Sequence, residues 1–160
     1  MKKSRLISIV VCLALLVSVF SMSVAAATFD DVENDPTVSW AKESINKMTD
    51  AGYIKGYEDG TFKPYNPITK IEALILMSRM LGYEDKNFAS VVENAKNMYK
   101  SVAKKYNATY SGEISYLLYC GTLKESELVD YASTANANTQ LLRYQAAMLM
   151  AKLLGADAEA

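Results

Sequence analysis

The chain has 160 residues, 51% of them hydrophobic, with 17 basic against 18 acidic side chains and a net charge of −1. So balanced a charge gives no electrostatic reason to seek nucleic acid. Histidine is absent, which removes the commonest general base and the commonest metal ligand and excludes zinc sites of the usual Cys/His kind.

The first residues, Met1-Lys2-Lys3-Ser4-Arg5, are followed by an apolar run over residues 6–20 and close on Ala25-Ala26-Ala27. A positive start, a short apolar stretch and small residues at the exit predict a secretory signal peptide over 1–27. The run falls short of the roughly 20 residues a membrane span needs, and no later segment supplies them. Once this segment is removed the chain is expected outside the cell and off the membrane. It then keeps 14 basic against 18 acidic residues, a net charge of −4. Cys12 leaves with the signal. Cys120 is then alone after the apolar stretch 116–119 and reads as a small buried hydrophobe.

Ala41, Ile45, Met48 and Ala51 recur at helical spacing, and Gly52 supplies the stop. Next comes Gly56-Tyr57-Glu58-Asp59-Gly60-Thr61-Phe62-Lys63-Pro64. Asp59-Gly60 signals a tight turn, since glycine tolerates positive φ and aspartate bonds to its own backbone. Tyr57 and Phe62 are placed to pin that turn, and Pro64 and Pro67 stiffen the approach to the next helix. Thr69-Lys70-Ile71-Glu72 is a capping box, in which Thr69 and Glu72 satisfy each other's backbone N–H. Ile71, Leu74, Ile75, Ser78 and Leu81 line one face of the helix it opens, and Gly82 ends it. Lys70 falls at the first helical position, where the macrodipole disfavours a cation by about 0.3–1 kcal/mol. A cation beside free helix N–H groups makes an anion site.

Phe88, Val91, Val92, Ala95, Met98, Tyr99, Val102 and Tyr106 then mark a long amphipathic helix over about 87–106. Residues 133–140 read as a polar loop, and residues 157–160 as a frayed end.

Two segments repeat. Residues 68–82 read ITKIEALILMSRMLG and residues 141–155 read LLRYQAAMLMAKLLG. Upstream, Ile45, Met48 and Gly52 answer to Ile114, Leu117 and Gly121. The offset is 69 at the first helix and 73 at the second, so the chain holds two copies of a helix–turn–helix unit with different internal loops. The fold expected is mainly α, a small helical bundle with short extended pieces near 53–57 and 62.

The residues Phe29, Asp31, Val32, Trp40, Ala41, the G-Y-x-D-G-T-F-x-P turn at 56–64, Thr69 and Glu72 stand in the pattern of the S-layer homology (SLH) family, which this stretch resembles over about 29–82. Lys70 stands where the family carries arginine, and Ile71 where it carries alanine. The second copy, about 109–155, is a degenerate version: Arg143 keeps the charge, Leu142 lacks a capping hydroxyl, Gln145 replaces the glutamate, and the turn motif is missing. The division expected is a signal at 1–27, repeat 1 at 28–84, a connecting amphipathic helix at 85–108 and repeat 2 at 109–156.

The resemblance implies a non-catalytic cell-wall anchor that grips a secondary cell-wall polysaccharide, often one bearing a pyruvate ketal. It assigns Lys70 to the anion. Trp40, Asp59, Gly60 and Thr61 become pocket walls or sugar contacts beside the Thr69–Glu72 box, with Arg143 as a second, weaker site. Lysine is a point charge without the planar fork of arginine, which weakens the case for bidentate carboxylate binding. Family units usually pack in threes, so either this is a two-unit version or a homo-oligomer or another SLH-containing protein completes it. The alternative is a secreted interaction or assembly module that kept the scaffold and lost the glycan. A two-carboxylate hydrolase fits poorly, because Glu72 is committed to a cap and Asp59 to a turn. Asp30, Asp31, Glu33 and Asp35 do not match the spacing of an EF-hand loop. No cofactor is implied.

Overall fold

The computed structural model describes residues 28–155. The expected signal peptide at 1–27 and the expected frayed end at 157–160 lie outside the described residues. The helices are α1 (Asp30–Glu33), α2 (Ser39–Asp50), α3 (Lys70–Met80), α4 (Ala89–Tyr106), α5 (Ser111–Tyr119), α6 (Leu128–Tyr131) and α7 (Arg143–Leu153), with single 3-10 turns before α2, α4 and α6. No strand occurs among the described residues; a lone antiparallel bridge joins Thr69 to Gln140. Residues 53–57 and 62, expected as extended pieces, are turn and irregular backbone.

Local sequence explains the helix ends. α3 and α7 are each eleven residues long and stand 73 positions apart. Gly82 (φ 95°) and Gly155 (φ 68°) follow them in the left-handed region, where a side chain is disfavoured. The long amphipathic helix falls at α4, preceded by a 3-10 turn that Asp85 caps through the Asn87 N–H at 2.8 Å.

The main core is built by α3 (Ile71, Leu74, Met77) against α5 (Ile114, Leu117, Leu118) and α6 (Leu128, Tyr131), closed by Ala103 of α4 and Leu149 of α7. Tyr116 is buried in a second cluster with Val92 and Ala95, and its hydroxyl donates to the Leu81 carbonyl at 2.7 Å, tying α5 to the end of α3. A third cluster of Phe29, Val32, Val38 and Ile45 underlies the first turn motif.

One expectation is corrected here. Cys120 is exposed, not buried: it sits one residue beyond α5, where the chain has already turned away from the core that Tyr116–Leu118 enter. The 133–140 loop is polar but not passive. Ala137 is buried, and the loop's backbone meets the start of α3.

Candidate functional site

The turn at 56–64 is held by residues distant in sequence. One Asp31 carboxylate accepts the Phe62 N–H at 3.0 Å and the Lys63 N–H at 2.7 Å. Those bonds hold Lys63 at φ 57°, where non-glycine residues are uncommon. Phe29 stacks against Phe62 with ring centroids 5.6 Å apart. Gly56 (φ 66°) has no room for a side chain, since a Cβ would lie 2.3 Å from the Phe29 ring and 2.7 Å from the Thr61 carbonyl oxygen. Asp59 closes the turn on itself, accepting the Thr61 N–H at 3.1 Å and the Thr61 hydroxyl at 2.5 Å. Lys63 pairs with Asp59 at 2.8 Å and lies 4.2 Å over the Tyr57 ring. The Lys63 ammonium, then the Thr61 hydroxyl, hold the Asp59 carboxyl down at about 2, and Asp59 in turn raises Lys63.

α3 begins with the expected capping box. The Thr69 N–H donates to Glu72 at 2.7 Å, and the Glu72 N–H donates to the Thr69 hydroxyl at 3.3 Å. The other first-turn donors are also taken. The Lys70 N–H bonds the Thr139 carbonyl at 3.0 Å and the Ile71 N–H bonds the Ala137 carbonyl at 2.9 Å. The expectation of open helix N–H groups beside Lys70 is therefore corrected: the backbone of residues 137–139 occupies them. What remains for an anion is the Lys70 side chain. It is partly exposed. Residues 28–74 carry five lysines. Lys42, Lys47, Lys55 and Lys63 pair with Glu33, Glu43, Glu84 and Asp59. Lys70 has no ion-pair partner among the described residues.

Between the turn and α3 runs a groove of about 250 Å³, walled by Tyr57, Phe62 and Lys63 on one side and Glu72, Leu76 and Arg79 on the other. A second depression of about 480 Å³ adjoins it, sharing Tyr53 and Arg79. At their junction Arg79 donates to Glu84 at 3.1 Å, and Lys55 pairs with the same carboxylate.

Residues 28–74 match the family model described as the S-layer homology domain. This segment is an S-layer homology domain. The chain is 55% identical over 42 residues to cell surface glycoprotein 1 of Acetivibrio thermocellus, covering 26% of this chain and 2% of that protein. It is 38% identical over 79 residues to the outer membrane protein SlpA of Thermus thermophilus, covering 49% of this chain and 8% of that one. It is 34% identical over 100 residues to outer membrane protein alpha of Thermotoga maritima, covering 58% and 24%. The chain thus spans a small part of the curated relatives it matches. No solved structure matches it significantly.

Within the S-layer homology domain, most pattern residues build the turn: Phe29 and Val32 form its floor, Asp31 clamps it, and Gly56 admits Phe29. Asp59 and Gly60 form the exposed turn tip, with Thr61 partly exposed beside them. Trp40 stands at the surface of α2, 84% exposed. Thr69 and Glu72 are joined in the capping box. Of the predicted site residues only Glu72 lines the groove; Lys70, Trp40, Asp59, Gly60, Thr61 and Thr69 line neither depression. Arg143 is exposed at the start of α7, apart from both. Sequence reasoning passed over Lys55, Lys63 and Arg79 as lining groups. For Arg79 a signal existed, because Glu72, Leu76 and Arg79 follow at four and three residues and so share one helix face.

Proposed function

We propose that this chain is a non-catalytic anchoring module of the cell surface, which holds an anionic secondary cell-wall polysaccharide through its S-layer homology domain. The match over residues 28–74 carries this reading. The relatives' names place those proteins at the cell surface or outer membrane, which supports the same location here. Against catalysis stands the commitment of the two nearest carboxylates, Glu72 to its cap and Asp59 to its turn.

The proposed contact is Lys70. It is the lysine of the domain that no carboxylate of the described chain neutralises, so a pyruvate ketal or another acidic sugar group gains an ion pair without displacing one. The Trp40 indole and the Asp59–Thr61 turn serve the sugar rings. A solvent-exposed ion pair contributes only about 0.2–1 kcal/mol, so a single contact is weak. Retention then comes from many repeats of the polymer presenting the same group at high local concentration, and it weakens as salt screens the charges.

The test is co-sedimentation of the full chain with purified polymer-bearing cell wall. Lys70→Glu is expected to lower retention several-fold while the circular dichroism spectrum stays unchanged. Lys47→Glu, a change of equal charge at an exposed and already paired lysine, is the control and is expected to retain binding. Equal retention of the wild type and Lys70→Glu removes Lys70 from the contact.

A further inference from the structure

The two copies of the helix–turn–helix unit solve the same packing problem differently. In α3, the face formed by Ile71, Leu74, Ile75 and Met77 is covered by the second copy. The corresponding face of α7, Tyr144, Ala147, Met148 and Met150, is open. Met77 is 6% exposed while its identical counterpart Met150 is 64% exposed; Ile71 is 4% exposed and its counterpart Tyr144 is 63% exposed. Leu142 and Leu154, at the two ends of α7, are exposed as well. Meanwhile α7 buries Gln145, Leu149 and the Lys152 side chain, which pairs with Glu127 at 2.5 Å. These stand where α3 has the groove residues Glu72, Leu76 and Arg79. The helix is therefore seated in its own copy by one face and bare on the face that, in α3, receives the next copy.

The backbone shows the same asymmetry. The Lys70 and Ile71 N–H groups are taken by the Thr139 and Ala137 carbonyls, and the Leu141 N–H donates to the Ile68 carbonyl at 3.0 Å. The counterparts, the N–H groups of Arg143 and Tyr144, find no acceptor among the described residues. The segment that would fill this place stands 73 positions before 137–141, at 64–68. It lies at the surface: Tyr65 is 69% exposed and Ile68 is 40% exposed, the Tyr65 hydroxyl is held by Asp35 at 2.5 Å, and the Pro64 and Asn66 carbonyls accept nothing among the described residues.

We propose that the open face of α7 is covered by the 64–68 segment of a second copy of this chain. Pro64 and Asn66 of the second copy then stand to Tyr144 and Arg143 as Ala137 and Thr139 stand to Ile71 and Lys70. Tyr65 and Ile68 of that copy lie against Tyr144 and Met148. Each chain carries one socket and one plug, so the contact is head-to-tail and either closes into a ring or extends. An exposed apolar face of this kind is a usual mark of an interface.

Sedimentation velocity of the full chain over a concentration series tests this, with Met150→Lys and, separately, Met148→Lys as socket variants and Ile68→Lys as a plug variant. All three changes are at exposed positions, and circular dichroism confirms folding. The wild type is expected to associate with rising concentration, and each variant to associate roughly tenfold or more weakly, as loss of a central apolar contact does. Mixing a socket variant with the plug variant is expected to restore a one-to-one pair, because one intact socket and one intact plug remain between them. A wild type that stays monomeric throughout overturns the proposal. So does association that the socket variants abolish and the plug variant leaves intact, which would mean α7 pairing with α7. Neither result bears on polymer binding, which is read separately by wall co-sedimentation.

Discussion

Asp31 shows how one side chain can fix a loop 31 and 32 residues away. Its carboxylate collects two consecutive N–H groups that no secondary structure claims, and hydrogen bonds to a charged group are each worth about 1.5–3 kcal/mol. Asp31→Ala is expected to lower stability by about that amount in denaturant unfolding, with loss of the Lys63 positive φ; an unchanged midpoint would show that the turn holds without the clamp. Asp59 adds a pH dependence. Its folded value, about 2, lies below the ordinary 3.8. Its contribution is therefore present above about 3.8 and is lost as pH falls through about 2. The Thr61 amide resonance is expected to titrate with a midpoint near 2, whereas a midpoint near 3.8 would mean that Lys63 and Thr61 do not hold the carboxylate in solution. The turn residues were legible in the sequence as a motif. Their division of labour was not, because the Asp31 clamp joins positions too far apart for local rules.

At the scale of elements, α3 and α7 differ at one atom group that is readily restored. The Gln145 side chain accepts the Leu142 N–H at 3.0 Å, reproducing half of the Thr69–Glu72 box, but Leu142 has no hydroxyl to return the bond. Leu142→Thr is expected to raise the unfolding midpoint by the equivalent of about 0.5–1 kcal/mol, the usual value of an N-cap. A neutral or negative change would show that the Leu142 side chain contributes packing that outweighs a cap. Helix existence and ends were readable here because the signals are local: the capping box at Thr69, the glycines at 82 and 155, the three-and-four spacing of Val92, Ala95, Tyr99 and Val102. The plug of residues 137–139 on α3 was not readable. It is made by carbonyl groups, which every residue has, on a loop whose composition says only that it is polar. Cys120 misled for a related reason: an apolar run predicts burial of its neighbours but not the position at which the helix ends.

For the whole molecule, α3 is covered on its apolar face and α7 is left open. Helix α3, which begins in the S-layer homology domain, is sheathed by α5, α6 and the 137–141 segment, whereas the matching face of α7 has no such sheath among the described residues. The same apolar face is thus core in one place and surface in the other, which no periodicity could distinguish. The sheathing also decides what the domain can offer a ligand. With the first-turn N–H groups consumed, the proposed recognition of an acidic glycan rests on side chains, and among the lysines of the domain on Lys70.

The most direct measurement of that account is retention of the full chain by purified cell wall before and after the anionic polymer is chemically stripped from it. The account predicts sedimentation with intact wall, declining as salt is raised, and loss of most retention on stripped wall. Equal retention on both, indifferent to salt, would contradict it.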